Sequence, residues 1–585
     1  MNTTETIVTE QGPMLVDWDV PITMSDGAVL RADVFRPAGD VQAPVLLSHG
    51  PYGKGLAFQE GYTSAWEQLV TGHPEVAEGS SNRFQNWEVA DPERWVPLGY
   101  ACVRVDTRGT GRSPGFLDPF SPQETQDLYD CIEWAGTQAW STGKVGLSGI
   151  SYYAMNQWQV GVLRPPHLAA ICVWEGSCDH YREVSHHGGI LTTFTRNWYE
   201  MQVVSVQHGN DRGLVSAVTG QRVTGDDALD EDTLRANRRD YGATHRAHAF
   251  DDEYYAAQTP DLSLLEVPLL SAGNWGGAGL HLRGNVEGFL NAGSQQKWLE
   301  MHGLGHWVEY YTKYGRDLQQ RFFDHFLKGV DNGWDDQPPI LLRVRNADGT
   351  FEDRTAQAWP LPDTEWTEFY LDATRGELTP GLPAAAQVTY DELGEGVTFE
   401  LATSDQTLEI TGPSAMTLYV SSDTDDADLF VVVRVFDPDG CEVTFPGAID
   451  PNSPPAQGWL RASHRALDPE RSLPYRPFHP HQVREPLVPG EVYEVDVEIW
   501  PTSLVLPPGY RLAVTVQGHD YEYADAGDRT LSNIRGKLRG SGPFVHDDPV
   551  DRPVYDTTDP APAAKITLRT GGEHPARLLL PIIPR

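Results

Sequence analysis

The chain has 585 residues, too many for one hydrophobic core, and its 39% apolar content is ample for two or three domains. Acidic side chains outnumber basic ones 83 to 44, for a net charge of −39 with no basic run to offset it, which argues against nucleic acid or an anionic membrane as partner. No apolar run reaches the length of a membrane span, the first residues show no basic or apolar targeting segment, and the five cysteines are scattered, so a cytoplasmic protein with reduced core thiols is expected.

In chain order, the alternating run VLRADVF (29–35) and the continuous apolar runs PVLLS (44–48) and YACVRV (100–105) predict strands. The two continuous runs suit strands covered on both faces, as in a parallel sheet flanked by helices. A helix is predicted over 121–138, with Ser121 as N-cap, Pro122 in the first turn, Glu124 three residues on, and Leu128, Ile132 and Ala135 at helical spacing. Strands at 144–147 and 168–174 follow, separated by a helix-like run from Ser151. The polar stretch 186–255, rich in Arg, His, Asp and Gly, predicts a helical insertion lying over the sheet. Strands at 267–272 and 297–301, a helix at 284–291 and an amphipathic helix at 317–327, closed by Lys328 and Gly329, resume the α/β alternation. Beyond about residue 335, short alternating strands between Pro, Gly and Asp turns predict an all-β sandwich of jelly-roll type, with Gln337-Pro338-Pro339 at the boundary. The expected organisation is an α/β domain in two parts (1–160 and 261–336), a strand plus helical cap between them (161–260), and the sandwich at 337–585.

Chemistry is concentrated in KVGLSGISYYAMNQW (144–158), where Ser148 and Ser151 compete as nucleophile. A serine on a tight strand-to-helix turn needs small flanking residues, because the backbone is strained and its neighbours are close. Ser148 has Ile150 two positions on, whereas Ser151 has Gly149 before it and Ala154 after it, so Ser151 is the candidate. Acyl transfer also needs a base, an acid to orient the base, and donors for the oxyanion. His306, on a glycine-rich loop after the 297–301 strand, is placed as the base, with His302 as competitor. Gly303 and Gly305 argue against a helix that would present the two histidines to a metal.

The segments SHGPYGKG, YACVRVDTRGTGRSPG, VGLSGISYYA, LGHW and GPFVHDDPVDRP occur in that order along nearly the whole chain. Together they resemble the cocaine esterase / X-Pro dipeptidyl-peptidase (CocE/NonD) family of serine hydrolases. The resemblance implies an α/β-hydrolase fold, with Ser151 as nucleophile, His306 as general base, and the Tyr52 hydroxyl and Tyr152 backbone N–H as oxyanion donors. Asp106 and Arg108 are expected to pair and hold a loop beside the site.

One departure stands out: where the family has a W-x-D motif whose aspartate orients the histidine, this chain reads GNWGGAGLHLRG, with Gly277 at the aspartate position. Glu175, directly after the 168–174 strand, is the candidate relocated acid; Asp179 and Glu309 are the alternatives, and pairing of Glu175 with Arg182 or Arg283 is the structural reading. The expected function is hydrolysis of an ester or amide bond in a small molecule. The alternatives are an X-Pro-type peptidase or α-amino-acid ester hydrolase, or a non-hydrolytic transacylase or binding protein on the same scaffold. The aromatic residues Tyr181, Phe194, Trp198 and Tyr199 of the insertion suggest an apolar or aromatic substrate group. No cofactor or metal is indicated, and a homo-oligomer is compatible with the sequence.

Overall fold

A computed structural model describes residues 4–532 and 534–585. The first of its two large sheets has eleven strands, in the order Thr4–Thr9, Gly12–Thr23, Val29–Pro37, Ala101–Asp106, Ala43–Gly50, Ser141–Ile150, Leu168–Trp174, Leu269–Asn274, Lys297–His302, Ile340–Arg345 and Phe351–Ala356. The strands from Ala101–Asp106 to Ile340–Arg345 run parallel, and those at both edges are antiparallel. The parallel centre is buried on both faces, as the continuous runs predict: Ala43–Gly50 and Ala101–Asp106 are buried throughout. The two N-terminal strands were not anticipated, and neither was the continuation of this sheet to Ala356, past the composition change near residue 336.

The predicted helices carry their predicted caps. Ser121 Oγ accepts the N–H of Glu124 at the start of Pro122–Gly136, and Gly329, at φ 69°, ends Lys313–Lys328 in the left-handed region. The insertion is less regular than expected, with short helices at Phe194–Trp198, Glu231–Ala236, Tyr241–Ala247 and Glu253–Ala256 joined by irregular backbone. Asp106 and Arg108 do not pair. Asp106 accepts the backbone N–H groups of Lys54 and Arg112, while Arg108 reaches Asp127 and Asp26. Four cysteines are buried as core thiols, but Cys441 is exposed, because it lies at the turn of a hairpin in the second sheet. Among the described residues, no helix is long and apolar enough to cross a membrane.

The second sheet, of twelve strands, closes on itself: Leu408–Ser422 pairs with Tyr493–Leu506 on one side and with Arg577–Ile583 on the other. This β-barrel is not a detached appendage. Trp275, Leu299, Met301, Ile340 and Leu342 of the first sheet share one apolar cluster with Phe430, Trp459, Trp500 and Ile583 of the barrel. The buried Arg345 guanidinium donates to the carbonyls of Ser503 and Pro455 and to Thr502 Oγ1 across the same seam. Trp459→Ala removes one of the two barrel tryptophans in this cluster and is expected to cost about 3–5 kcal/mol, measured as a lower denaturant midpoint for both domains.

Candidate active site

Ser151 sits where Ser141–Ile150 ends and the helix Tyr152–Gly161 begins, at φ 59° and ψ −115°. A non-glycine residue at positive φ is held there only by its surroundings. Ser151 N–H donates to the carbonyls of Trp174 and Glu175, and Ile150 N–H donates to that of Glu88. Gly149, at φ 153°, passes so close to the helix that a Cβ there would lie 2.4 Å from Tyr153 Cβ and 3.2 Å from Glu88 O. Ser148 is buried with its hydroxyl 2.8 Å from that of Tyr310, a structural contact.

Behind the serine lies a buried chain of alternating carboxylates and imidazoles. His302 Nδ1 is 2.7 Å from Glu300 Oε2, and His302 Nε2 is 3.2 Å from Glu175 Oε1. Glu175 Oε2 is 2.6 Å from His306 Nδ1, and His306 Nε2 is 3.1 Å from Glu88 Oε1. Burial opposes charge on His306, but Glu175 and Glu88 outweigh it and raise its pKa; His302 is raised likewise by Glu300 and Glu175. Burial would raise Glu175, yet His306 and His302 bring its pKa down to about 2. Glu175 also accepts from Asn274 Nδ2, and its own backbone is at φ 50°. The anticipated pairing of Glu175 with Arg182 or Arg283 is absent: Arg182 pairs with Asp179 and Asp251, and Arg283 with Glu183 and Glu498. Asp179 is thereby occupied, as is Glu309, which meets Arg343 and Thr312.

The structure does not bring Ser151 and His306 into a hydrogen bond. Ser151 Oγ is instead 3.0 Å from Nε2 of His281, whose ring lies parallel to that of His306 at 5.4 Å. His281 Nδ1 accepts the backbone N–H of Ser177, which leaves the ring proton on Nε2, so His281 donates to Ser151. Burial and the nearby His306 charge push the His281 pKa well below the usual histidine range. His281 stood in GLHLRG without any spacing to mark it, and Glu88 lies in FQNWEVADP, which carries no motif.

The Tyr52 hydroxyl accepts from Trp198 Nε1 at 3.1 Å, and its ring packs against Tyr62, Tyr152, Tyr153 and Trp198. Burial keeps the phenol protonated and able to donate. Tyr152 is the first helical residue, where the N–H has no intrahelical acceptor. Of the insertion's aromatics, Trp198 reaches this group; Tyr181 packs on His186 and Tyr255, Phe194 on Phe544, and Tyr199 on Tyr241. The barrel reaches the site as well, because His306 N–H donates to the carbonyl of Ala448 and Ala448 N–H donates to that of Gly276, both at 2.7 Å. A Cβ at residue 276 would lie 2.5 Å from Pro446 O, so this approach requires glycine. Among the described residues, no cluster of His, Cys, Asp and Glu is arranged to hold a metal ion.

Residues 26–308 match the family description X-Pro dipeptidyl-peptidase (S15 family), and residues 332–578 match X-Pro dipeptidyl-peptidase C-terminal non-catalytic domain. A solved CocE/NonD family hydrolase from Staphylococcus aureus is 32% identical, with a TM-score of 0.83 over 99% of this chain and 96% of that one. The cocaine esterase of a Rhodococcus strain is 26% identical over 645 residues, covering 97% of this chain and 98% of the relative. An aminopeptidase from a marine sediment thaumarchaeon, at 16% identity, shares the fold with a TM-score of 0.69 over 100% of this chain and 97% of that one.

Two outcomes follow from this geometry. Gly149→Val places a side chain against Tyr153 at positive φ and is expected to cost about 1–3 kcal/mol and to abolish labelling by a fluorophosphonate. Glu124, which accepts from the Tyr152 hydroxyl and Phe120 N–H, has its carboxyl pushed by burial from 4.5 to about 8. A folded pKa above the unfolded one gives stability that is fully present below pH 4.5 and lost as pH rises towards 8. Urea midpoints of wild type should therefore fall over that window, and Glu124→Gln should remove the fall.

Proposed function

The chain belongs to the CocE/NonD, X-Pro dipeptidyl-peptidase-like family of serine hydrolases, and we propose that it cleaves an ester or amide bond of a small molecule through an acyl-enzyme on Ser151. The observation that carries this reading is the 2.6 Å contact of Glu175 with His306 Nδ1 behind a serine on a strained elbow. Glu175 takes the place of the aspartate missing at Gly277. It fixes the proton of His306 on Nδ1 and stabilises the imidazolium formed when Nε2 receives the serine proton.

In the proposed reaction Ser151 Oγ attacks the substrate carbonyl while His306 accepts its proton, which requires Ser151 to exchange its resting contact with His281 for one with His306. The oxyanion is met by the Tyr52 hydroxyl and the Tyr152 N–H. His306 then returns the proton to the leaving group, and water hydrolyses the acyl-enzyme by the reverse sequence. His281 is unsuited to act as base, because its Nε2 already carries a proton and no carboxylate supports its Nδ1. The C-terminal barrel, read as a jelly roll, walls the site through the loop around Ala448.

Ser151→Ala should lose both fluorophosphonate labelling and hydrolysis of p-nitrophenyl butyrate; persistent labelling would remove Ser151 as nucleophile. Glu175→Gln should lower kcat by about 10²–10⁴-fold with KM little changed, as read by steady-state kinetics. If the peptidase reading holds instead, X-Pro p-nitroanilides will be cleaved with higher kcat/KM than the ester.

A further inference from the structure

Glu88 lies outside the proposed triad yet touches its machinery twice. Its carbonyl accepts Ile150 N–H at 2.9 Å, at the base of the elbow, and its carboxylate Oε1 is 3.1 Å from His306 Nε2, the nitrogen that must receive the serine proton. Its own backbone is at φ 61°, so this placement is imposed by the fold and is not a local preference. The residue is 2% exposed. Burial and the neighbouring Glu175 charge push the Glu88 pKa up against the pull of His306, so a carboxylate this deep needs a cationic partner to stay charged; the ionisable groups facing it are His306, Glu175 and the phenols of Tyr52, Tyr62, Tyr153 and Tyr311. The cation among them is His306. That ring in turn faces Glu175, Glu88 and His281, with the Trp307 indole at its edge.

We propose that Glu88 is a positioning residue that keeps a proton on His306 Nε2 in the resting enzyme and so sets the pH at which Ser151 becomes nucleophilic. The inference rests on His306 being the general base. With both ring nitrogens facing carboxylates, His306 is held as the imidazolium, which has no lone pair to offer. Reaction requires the Nε2–H bond to break, with the proton lost to bulk solvent; the freed Nε2 lone pair then takes the proton of Ser151. Reactivity therefore rises as pH increases through the titration of His306. The negative charge on Glu88 favours the imidazolium and moves that rise to higher pH; removing the charge moves it down.

The test uses the full chain and needs no known substrate: the second-order rate constant for phosphonylation by an alkyl fluorophosphonate, measured across about pH 5 to 10. Glu88→Gln is expected to shift the acid limb down by about one pH unit or more with the high-pH plateau retained, and Glu88→Asp, which keeps the charge, to hold the limb near its wild-type position. A Glu88→Gln limb that coincides with wild type overturns the proposal, as does a lowered plateau with an unmoved limb. If Glu88→Gln fails to fold by circular dichroism, the wild-type low-field proton spectrum takes its place: a His306 Nε2 proton must be present below the limb and lost above it, and its absence below the limb also overturns the proposal. Ser151→Ala and His306→Gln separate the two readings. Labelling of either at the wild-type rate removes the triad itself, whereas loss of labelling in both with an unmoved Glu88→Gln limb removes only the role of Glu88.

Discussion

The contact between Glu175 and His306 Nδ1 is the constraint around which the site is arranged. It joins the end of one parallel strand to a loop that follows another, and it does so in a fully buried setting where an unpaired carboxylate would be costly. The surrounding groups follow from that cost. His302 shares the second oxygen of Glu175, Asn274 donates to it, and Glu300 balances His302 from behind. In the proposed reading, the acid beside the histidine comes by a different route from the W-x-D motif. Glu175 follows the strand next to the one that leads to Gly277, and Gly276 makes room for the barrel loop.

Much of the fold was legible because its signals are local. Continuous apolar runs become central parallel strands, Ser121 starts one helix and Gly329 stops another, and Gly149 with Ser151 forms the turn between strand and helix. The approach of Glu175 to His306 was open to anticipation because strand ends converge in an open α/β sheet, so the residue after an apolar run is a candidate wherever it is acidic. The antiparallel edge strands were harder: Thr4–Thr9 and Gly12–Thr23 are half-exposed and carry many polar residues, which weakens the alternation that marks a strand.

His281 and Glu88 escaped for a different reason. His281 reaches the serine and Glu88 reaches His306, each from an irregular segment whose path is decided by tertiary contacts, His281 through the N–H of Ser177 and Glu88 through the carbonyl bond to Ile150. No periodicity or spacing encodes such a placement. The pairing of Asp106 with Arg108 failed by the same logic in reverse: nearness in sequence suggested a contact, while backbone N–H groups and a helix carboxylate took the two partners separately.

The hydrogen bonds from His306 to Ala448 and from Ala448 to Gly276 give the barrel a share in the proposed chemistry. The loop bearing the histidine is held by its own sheet, through Glu175 and the bond from Asn274 Nδ2 to the Leu304 carbonyl, and by the other domain, through Ala448, so the precision of the site depends in part on how firmly the two domains stay docked. Anything that loosens the seam, such as heat, denaturant or a cavity near Trp459, would let the histidine drift before either domain melts. In such a molecule the catalytic lifetime is a property of the domain interface, and mutations far from Ser151 that tighten that interface would act as activating changes at temperatures where the site begins to breathe.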